Sequence, residues 1–184
     1  MSKIGIFFGT DSGSTRLVAK KIYKALGEDI ADKPQNVNRT RPEDMLGYDA
    51  LIVGTPSYGI SEVPGVAVGC TVPNWAEFLP LLDGADFSGK RVAVFGTGNQ
   101  DRYPDRFAGS TIHLYRFFHG AGAEIVGQWS TDGYQFERSD AIVEGRFVGL
   151  IVDERTQYMH TEERIAAWVK VVRPLLLERC GEPA

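Results

Sequence analysis

Metal-binding and disulfide chemistry have little to work with in this chain of 184 residues. Its two cysteines, Cys70 and Cys180, lie far apart in sequence and suggest neither a disulfide framework nor a zinc site. The three histidines, His113, His119 and His160, offer no better: the nearest two stand six residues apart, on different faces of a helix. Excess positive charge is missing too. With 20 Lys and Arg against 24 Asp and Glu, the net charge is −4, the wrong sign for a nucleic-acid binder. No apolar run approaches the roughly 20 residues of a membrane span, and the Met-Ser-Lys start lacks a signal-peptide core. A soluble, cytoplasmic domain is expected. The 21 glycines and nine prolines are scattered and never repeat, which excludes collagen-like and low-complexity chains. At 43% hydrophobic and 24% charged, the chain has the composition and length of one globular domain.

The apolar residues fall into two rhythms. Ile4 to Phe8 (IGIFF) is a continuous run ending at Gly9, the pattern of a strand buried on both faces. Leu51 to Val53 and Arg91 to Phe95 repeat it, each followed by Gly-Thr. A weaker strand is expected within Ile30 to Val37, and two more at Glu124 to Trp129 and Phe147 to Val152. Between them, Arg16 to Leu26 spaces Leu17, Val18, Ile22, Ala25 and Leu26 as one helix face and closes at Gly27. Helices are also expected over Arg106 to Phe118 and Thr161 to Leu177, the second with Thr161 as N-cap and Glu162 and Glu163 in its first turn. Strands alternating with helices imply an α/β fold, a doubly wound parallel sheet with helices on both faces. Such sheets bind ligands beyond the carboxyl ends of their strands.

Three loops converge there. The first, Thr10-Asp11-Ser12-Gly13-Ser14-Thr15, sets four hydroxyls and a glycine at a helix N-terminus, where they can surround a phosphate. It is not a Walker A loop, since no Lys-Ser/Thr follows the last glycine, and the spacing of Gly9 and Gly13 does not fit a dinucleotide fingerprint. Lacking lysine, it suits a terminal phosphomonoester held by neutral donors. The same hydroxyls would equally serve to cap the helix. The second loop, Thr55-Pro56-Ser57-Tyr58-Gly59-Ile60, and the third, Gly96-Thr97-Gly98-Asn99-Gln100-Asp101-Arg102-Tyr103-Pro104, each place one tyrosine past a buried strand. Two rings facing one crevice can sandwich a planar system, stacking adding about 0.5–1.5 kcal/mol per pair. Phosphate at one end and a flat ring at the other describe a phosphorylated flavin.

From end to end the chain resembles the flavodoxins. The stretches FFGTDSGST, GTPSYG, FSGKRVAVFGTGNQDRYPD, and GQWSTDGYQFERSDA followed by EGRFVGL carry the likeness. It implies one domain over residues 1–184, a five-stranded parallel sheet in the order 2-1-3-4-5, and a monomer that carries single electrons at low potential on non-covalent FMN. The segment Asp132 to Gly145 resembles the insertion that splits the fifth strand of long-chain flavodoxins. Glu62-Val-Pro-Gly and the cysteine-containing excursion Val66 to Asn74 before Trp75 resemble flavodoxins that supply nitrogenase. The partners so implied are the nitrogenase iron protein or another low-potential acceptor, and an upstream flavodoxin-reducing oxidoreductase.

The resemblance also implies roles. Thr10 to Thr15 would hold the phosphate, Tyr103 would cover one face of the ring system, and Tyr58 would lie on or near the other. Backbone groups of Gly98, Asn99 and Gln100 would meet the pyrimidine edge, with Thr55, Pro56, Ser57 and Thr97 completing the set. The peptide after Tyr58 would turn its carbonyl to the flavin N5 on reduction, and Gly59 would make that turn cheap. Two positions depart from the family pattern: Asn99 stands where Asp is usual, and Arg155 lies within the altered run Asp153 to Gln157. No side chain need act as acid, base or nucleophile, because the cofactor carries the chemistry. An FMN-dependent quinone or azo reductase of similar fold is the competing class, distinguished by its turnover of NAD(P)H.

Overall fold

Strands without polar alternation must be covered on both sides, and the computed structural model, which describes residues 2–181, shows how. The central strands are β1 (Gly5–Phe8), β3 (Ala50–Thr55) and β4 (Arg91–Thr97), with every residue buried except the half-buried Arg91. An edge strand, β2 (Gln35–Asn36), pairs parallel with β1, and β5 (Glu124–Val126) pairs with the start of β4. The order is β2-β1-β3-β4-β5, all parallel, as the resemblance implies.

Alternate residues of each strand feed opposite layers. Ile6, Phe8, Ile52 and Phe95 pack with α1 (Ser14–Leu26) and α5 (Thr161–Leu177), through Val18, Ile22, Ile165 and Trp168. Phe7, Leu51, Val53 and Val94 pack on the other face with α2 (Pro42–Leu46), α3 (Trp75–Phe78) and α4 (Thr111–Gly120).

Several boundaries differ from the sequence reading. The second strand is reduced to Gln35–Asn36 and an isolated Ile4–Ala31 bridge, because the residues between lack an apolar pattern to hold the ladder. Helix α1 begins at Ser14, and Leu17, taken as part of its inner face, is 55% exposed. Helix α4 begins at Thr111; Pro104–Arg106 forms a separate 3-10 turn, and Ala108 at φ 50° interrupts the helical path. Thr161 is not an N-cap. It is the first residue of α5, His160 precedes it, and its buried hydroxyl finds no partner.

The fifth position of the sheet is filled twice. Arg91–Ala93 of β4 pair with β5, whereas Phe95–Thr97 pair with β8 (Leu150–Val152), so Phe147 to Val152 is not one continuous strand. Residues 127–149 leave and return between these halves, a longer excursion than 132–145. They form a small hairpin of β6 (Ile142–Val143) and β7 (Arg146–Phe147), and Phe147 also bridges Trp129. Phe107, Tyr134, Phe136 and Phe147 make a separate aromatic cluster beneath it. The Tyr134 hydroxyl donates to the Ile151 carbonyl at 2.5 Å, and burial pushes its pKa up to about 12.

Candidate functional site

The first three expected loops do meet at the carboxyl ends of β1, β3 and β4. They enclose a cleft of about 850 Å³. Ser12, Ser14 and Thr15 line it from the first loop, Pro56 to Ser61 from the second, and Thr97, Gly98, Asn99 and Tyr103 from the third. A volume of this size suits a ligand of cofactor dimensions.

Gly13 is the N-cap of helix α1, and its φ of 98° is open to glycine and strained for any other residue. No side chain caps the helix. The Thr10 hydroxyl accepts from the Gly13 N–H at 3.0 Å and so is used within the loop itself. The hydroxyls of Ser12, Ser14 and Thr15 are therefore not spent on capping, which removes the simpler account of this loop. Thr15 is 1% exposed and its oxygen lies 3.4 Å from that of Thr97, so two hydroxyls converge at the inner end of the cleft. Beside them the Ser57 hydroxyl is buried with no partner at all. An orphaned buried hydroxyl in a polar cleft is a binding group waiting for a ligand atom.

Asp11 does not face this cleft. Its carboxylate accepts from the Tyr58 hydroxyl on one side and from the Thr71 N–H and hydroxyl, at 2.8 and 2.6 Å, on the other. These bonds, that of the Thr71 hydroxyl foremost, hold the Asp11 carboxyl below its usual range. Burial, and then the bond to Asp11, hold the Tyr58 proton well above the usual tyrosine range. Asp11 thus clasps the Val66 to Asn74 excursion to the aromatic loop. Cys70 sits under the clasp, buried, and burial followed by the nearby Asp11 charge pushes its thiol up.

The second loop turns at Gly59, with φ 57°, and Glu62 donates its N–H back to the Tyr58 carbonyl at 2.9 Å. A Cβ at Gly59 would lie 2.0 Å from a Glu62 carboxylate oxygen. The positive φ expected to accompany a later turn of this peptide is already present, so a bulkier residue is penalised in this conformer too. Ser110, fully buried, fixes the loop by accepting from the Tyr58 N–H at 3.1 Å and donating to the Glu62 carbonyl at 2.5 Å.

In the third loop, Tyr103 is 37% exposed, and the guanidinium groups of Arg106 and Arg102 lie over its ring at 4.8 and 5.4 Å. The Asn99 side chain accepts from the Arg102 N–H at 3.0 Å, a turn that aspartate would make equally well. Asparagine keeps the geometry and removes the charge. Gln100 is 3% exposed and turned inward: its N–H donates to Asp153 at 2.9 Å, and its side-chain carbonyl accepts from the Gln135 N–H at 2.6 Å. Thr55 likewise points away, donating to the Pro56 carbonyl at 2.8 Å. Arg155 and Glu154 reach the cleft rim, where Glu154 pairs with Lys21 at 3.2 Å.

Ser110, Asp153 and the insertion escaped the sequence reading of the site. Asp153 is fully buried and takes four donors: Gln100 N–H, Arg155 N–H, and the Thr156 N–H and hydroxyl. Its signal is an aspartate ending a buried run with Thr three residues on, an Asx turn. From the insertion, Glu137 and Arg138 donate their N–H groups to the Pro104 carbonyl at 2.8 and 2.9 Å, bracing the Tyr103 segment.

Residues 6–168 match the Flavodoxin family model. A flavodoxin of Klebsiella pneumoniae is 44% identical over 177 residues, covering 96% of this chain and all of that protein. Flavodoxin 1 of Escherichia coli is 39% identical over 173 residues, 94% of this chain and 93% of that one. The structure of Fusobacterium nucleatum flavodoxin bound to flavin mononucleotide superposes with a TM-score of 0.83 at 32% identity, covering 95% and 99% of the two chains. The chain belongs to the flavodoxin family, whose curated members are electron-transfer proteins rather than enzymes.

Proposed function

We propose that this chain binds FMN without covalent attachment and passes single electrons at low potential, with nitrogenase reductase as acceptor. Bound FMN would supply the redox chemistry, and the protein binds, orients and shields it. The observation that carries the reading is the meeting of three hydroxyls that do not cap the helix, at the α1 N-terminus, with the Tyr58 and Tyr103 loops around one cleft. In this assignment Ser12, Ser14 and Thr15 bond the phosphate at the helix N-terminus, joined by the unpartnered Ser57 hydroxyl. Tyr58 and Tyr103 flank the rings, and Gly98 and Asn99 meet the pyrimidine edge. Thr10, Asp11, Gly13, Thr55 and Gln100 shape the loops from behind. The chain acts as one domain and a monomer of long-chain type in the cytoplasm, recharged by a flavodoxin-reducing oxidoreductase.

The acceptor is argued from the excursion. It lies beside the Tyr58 loop, bound to it through Asp11, and leaves Val66 53% and Val72 37% exposed, while Ile60 in the Tyr58 loop is 80% exposed. Apolar side chains with acidic surroundings suit brief docking on a basic partner. The test has two arms. Mass spectrometry should recover FMN from the purified protein, and recovery of FAD alone defeats the cofactor assignment. The pair Val66→Glu and Val72→Glu, with FMN retained, should slow transfer to nitrogenase reductase more than reduction by a generic flavoprotein reductase. Equal effects on both defeat the acceptor assignment.

A further inference from the structure

We infer that the chain has a second anion site, separate from the flavin cleft, for a phosphorylated small molecule that carries a planar ring. The site is a groove of about 590 Å³ between α1 and the segment that carries the edge strand β2. Five cationic side chains line it, Arg16, Lys20 and Lys24 from the helix and Lys33 and Arg39 from across the groove. All five are exposed, and no carboxylate is among the lining residues. The chain as a whole is acidic, with only 20 basic side chains, so a quarter of them face one groove.

Among the described residues none of the five belongs to an ion pair. Asp32, next to Lys33 in sequence, is already engaged, accepting from the Tyr48 hydroxyl at 2.8 Å and pairing with Lys3 at 3.7 Å. Arg16, Lys20 and Lys24 follow one another at four-residue steps, so they stack on a single ridge of α1, an arrangement that disfavours the helix through like-charge repulsion. A bound polyanion would relieve that repulsion. Its charges would also face donors from two directions, as a phosphate chain requires.

The floor argues for a ring. Phe8, Tyr23 and Pro34 supply apolar surface beneath the cations, and the Arg16 guanidinium already lies 5.8 Å over the Phe8 ring. A purely electrostatic patch needs no such floor. A concave site with an apolar base and charged rim fits a small ligand better than a flat protein face. A nucleoside triphosphate has both parts. The groove shares no lining residue with the flavin cleft, so the inference stands independently of the cofactor assignment.

The experiment uses the FMN-saturated protein, in which the hydroxyl loop is not available to a second phosphate. ATP is titrated at low ionic strength and followed by amide chemical shifts and calorimetry. Shifts are expected in residues 16–24 and 33–40. The exposed pair Lys20→Glu and Arg39→Glu should weaken binding about tenfold or more, with an unfolding midpoint no lower than the parent's, since Lys20→Glu also relieves the repulsion along the ridge. Inorganic tripolyphosphate should bind about three- to fivefold more weakly than ATP, having no ring to stack. Shifts absent at millimolar ATP, or affinity unchanged by the charge reversals, overturn the site. Equal binding of tripolyphosphate overturns the ring, and tighter binding of an oligoglutamate peptide overturns the small-molecule occupant in favour of an acidic protein segment.

Discussion

Replacing Asp153 tests whether the third loop is held in place before any ligand arrives. The carboxylate is fully buried and, among the described residues, in no ion pair; four donors surround it. In Asp153→Ala the Gln100 N–H, in a residue 3% exposed, loses its acceptor inside the protein. An orphaned buried donor costs about 1–3 kcal/mol. The Arg155 and Thr156 groups lie in a more exposed turn and recover part of their loss in water. Losing their bonds to a charged acceptor adds about 1–2 kcal/mol, while removal of a desolvated charge offsets some of the total. A net loss of about 2–4 kcal/mol follows, which for a chain of this length lowers the melting temperature by about 5–12 °C. Asp153→Asn separates stability from loop control. It keeps one oxygen for the Arg155 and Thr156 donors but sets an amide NH2 against the Gln100 N–H, so roughly half the stability loss should remain. FMN affinity should then fall by more than the stability loss predicts, because the released loop carries Gly98, Asn99 and Tyr103. Urea unfolding of the flavin-free protein and an FMN titration read the two quantities separately. If Asp153→Asn unfolds within about 0.5 kcal/mol of the parent and binds FMN equally well, the carboxylate does not pin the loop.

Two further outcomes are expected. Thr15→Ala removes a buried hydroxyl at the inner end of the cleft, and if that hydroxyl bonds the phosphate, FMN binding weakens by about 1.5–3 kcal/mol; an unchanged dissociation constant would make Thr15 a structural residue only. Three of the seven tyrosines should keep their protons late in an alkaline titration. Burial pushes Tyr48 and Tyr134 up to about 12, and burial together with the bond to Asp11 raises Tyr58 further. The folded chain therefore holds more protons than the unfolded one above about pH 10, and stability falls as pH rises through that window. A phenolate band that develops fully near the ordinary tyrosine pKa while the protein is still folded would refute these environments.

The parts of the molecule legible in the sequence are those whose signal is local. Ile4 to Phe8, Leu51 to Val53 and Arg91 to Phe95 announce buried strands because burial on both faces leaves no room for a polar residue. The hydroxyl loop and the two tyrosines are likewise each contained in a few consecutive residues. The edge strand leaves little local signal because two paired residues carry no periodicity. The limits of the split at the fifth strand are hidden because Gly127 to Trp129 and Phe147 to Gly149 look like strand in composition. Trp129 and Phe147 do pair, but with each other and not with β4. The fate of Asp11 was hidden by distance, since its partners Tyr58 and Thr71 lie 47 and 60 residues away.

That distance is itself a rule of this site. Each loop of the cleft is anchored by a buried polar side chain that belongs to another segment. Asn74 reaches the Thr10 carbonyl at 3.4 Å, Ser110 holds Tyr58 and Glu62, and Asp153 holds Gln100. Polar residues are needed there because a loop curled around a cleft buries backbone N–H and C=O groups that no sheet or helix ladder can satisfy. An apolar residue would pack against the loop but leave those groups orphaned. The holding residue must also come from outside, since a group within the loop would move with it and fix nothing. A flat, rigid ligand gains most when such loops are set beforehand, because ordering them on binding would subtract from its affinity. Side chains that line the cleft thus cluster in short motifs, whereas those that hold the motifs still are single polar residues at the ends of distant elements, visible only once the chain is folded.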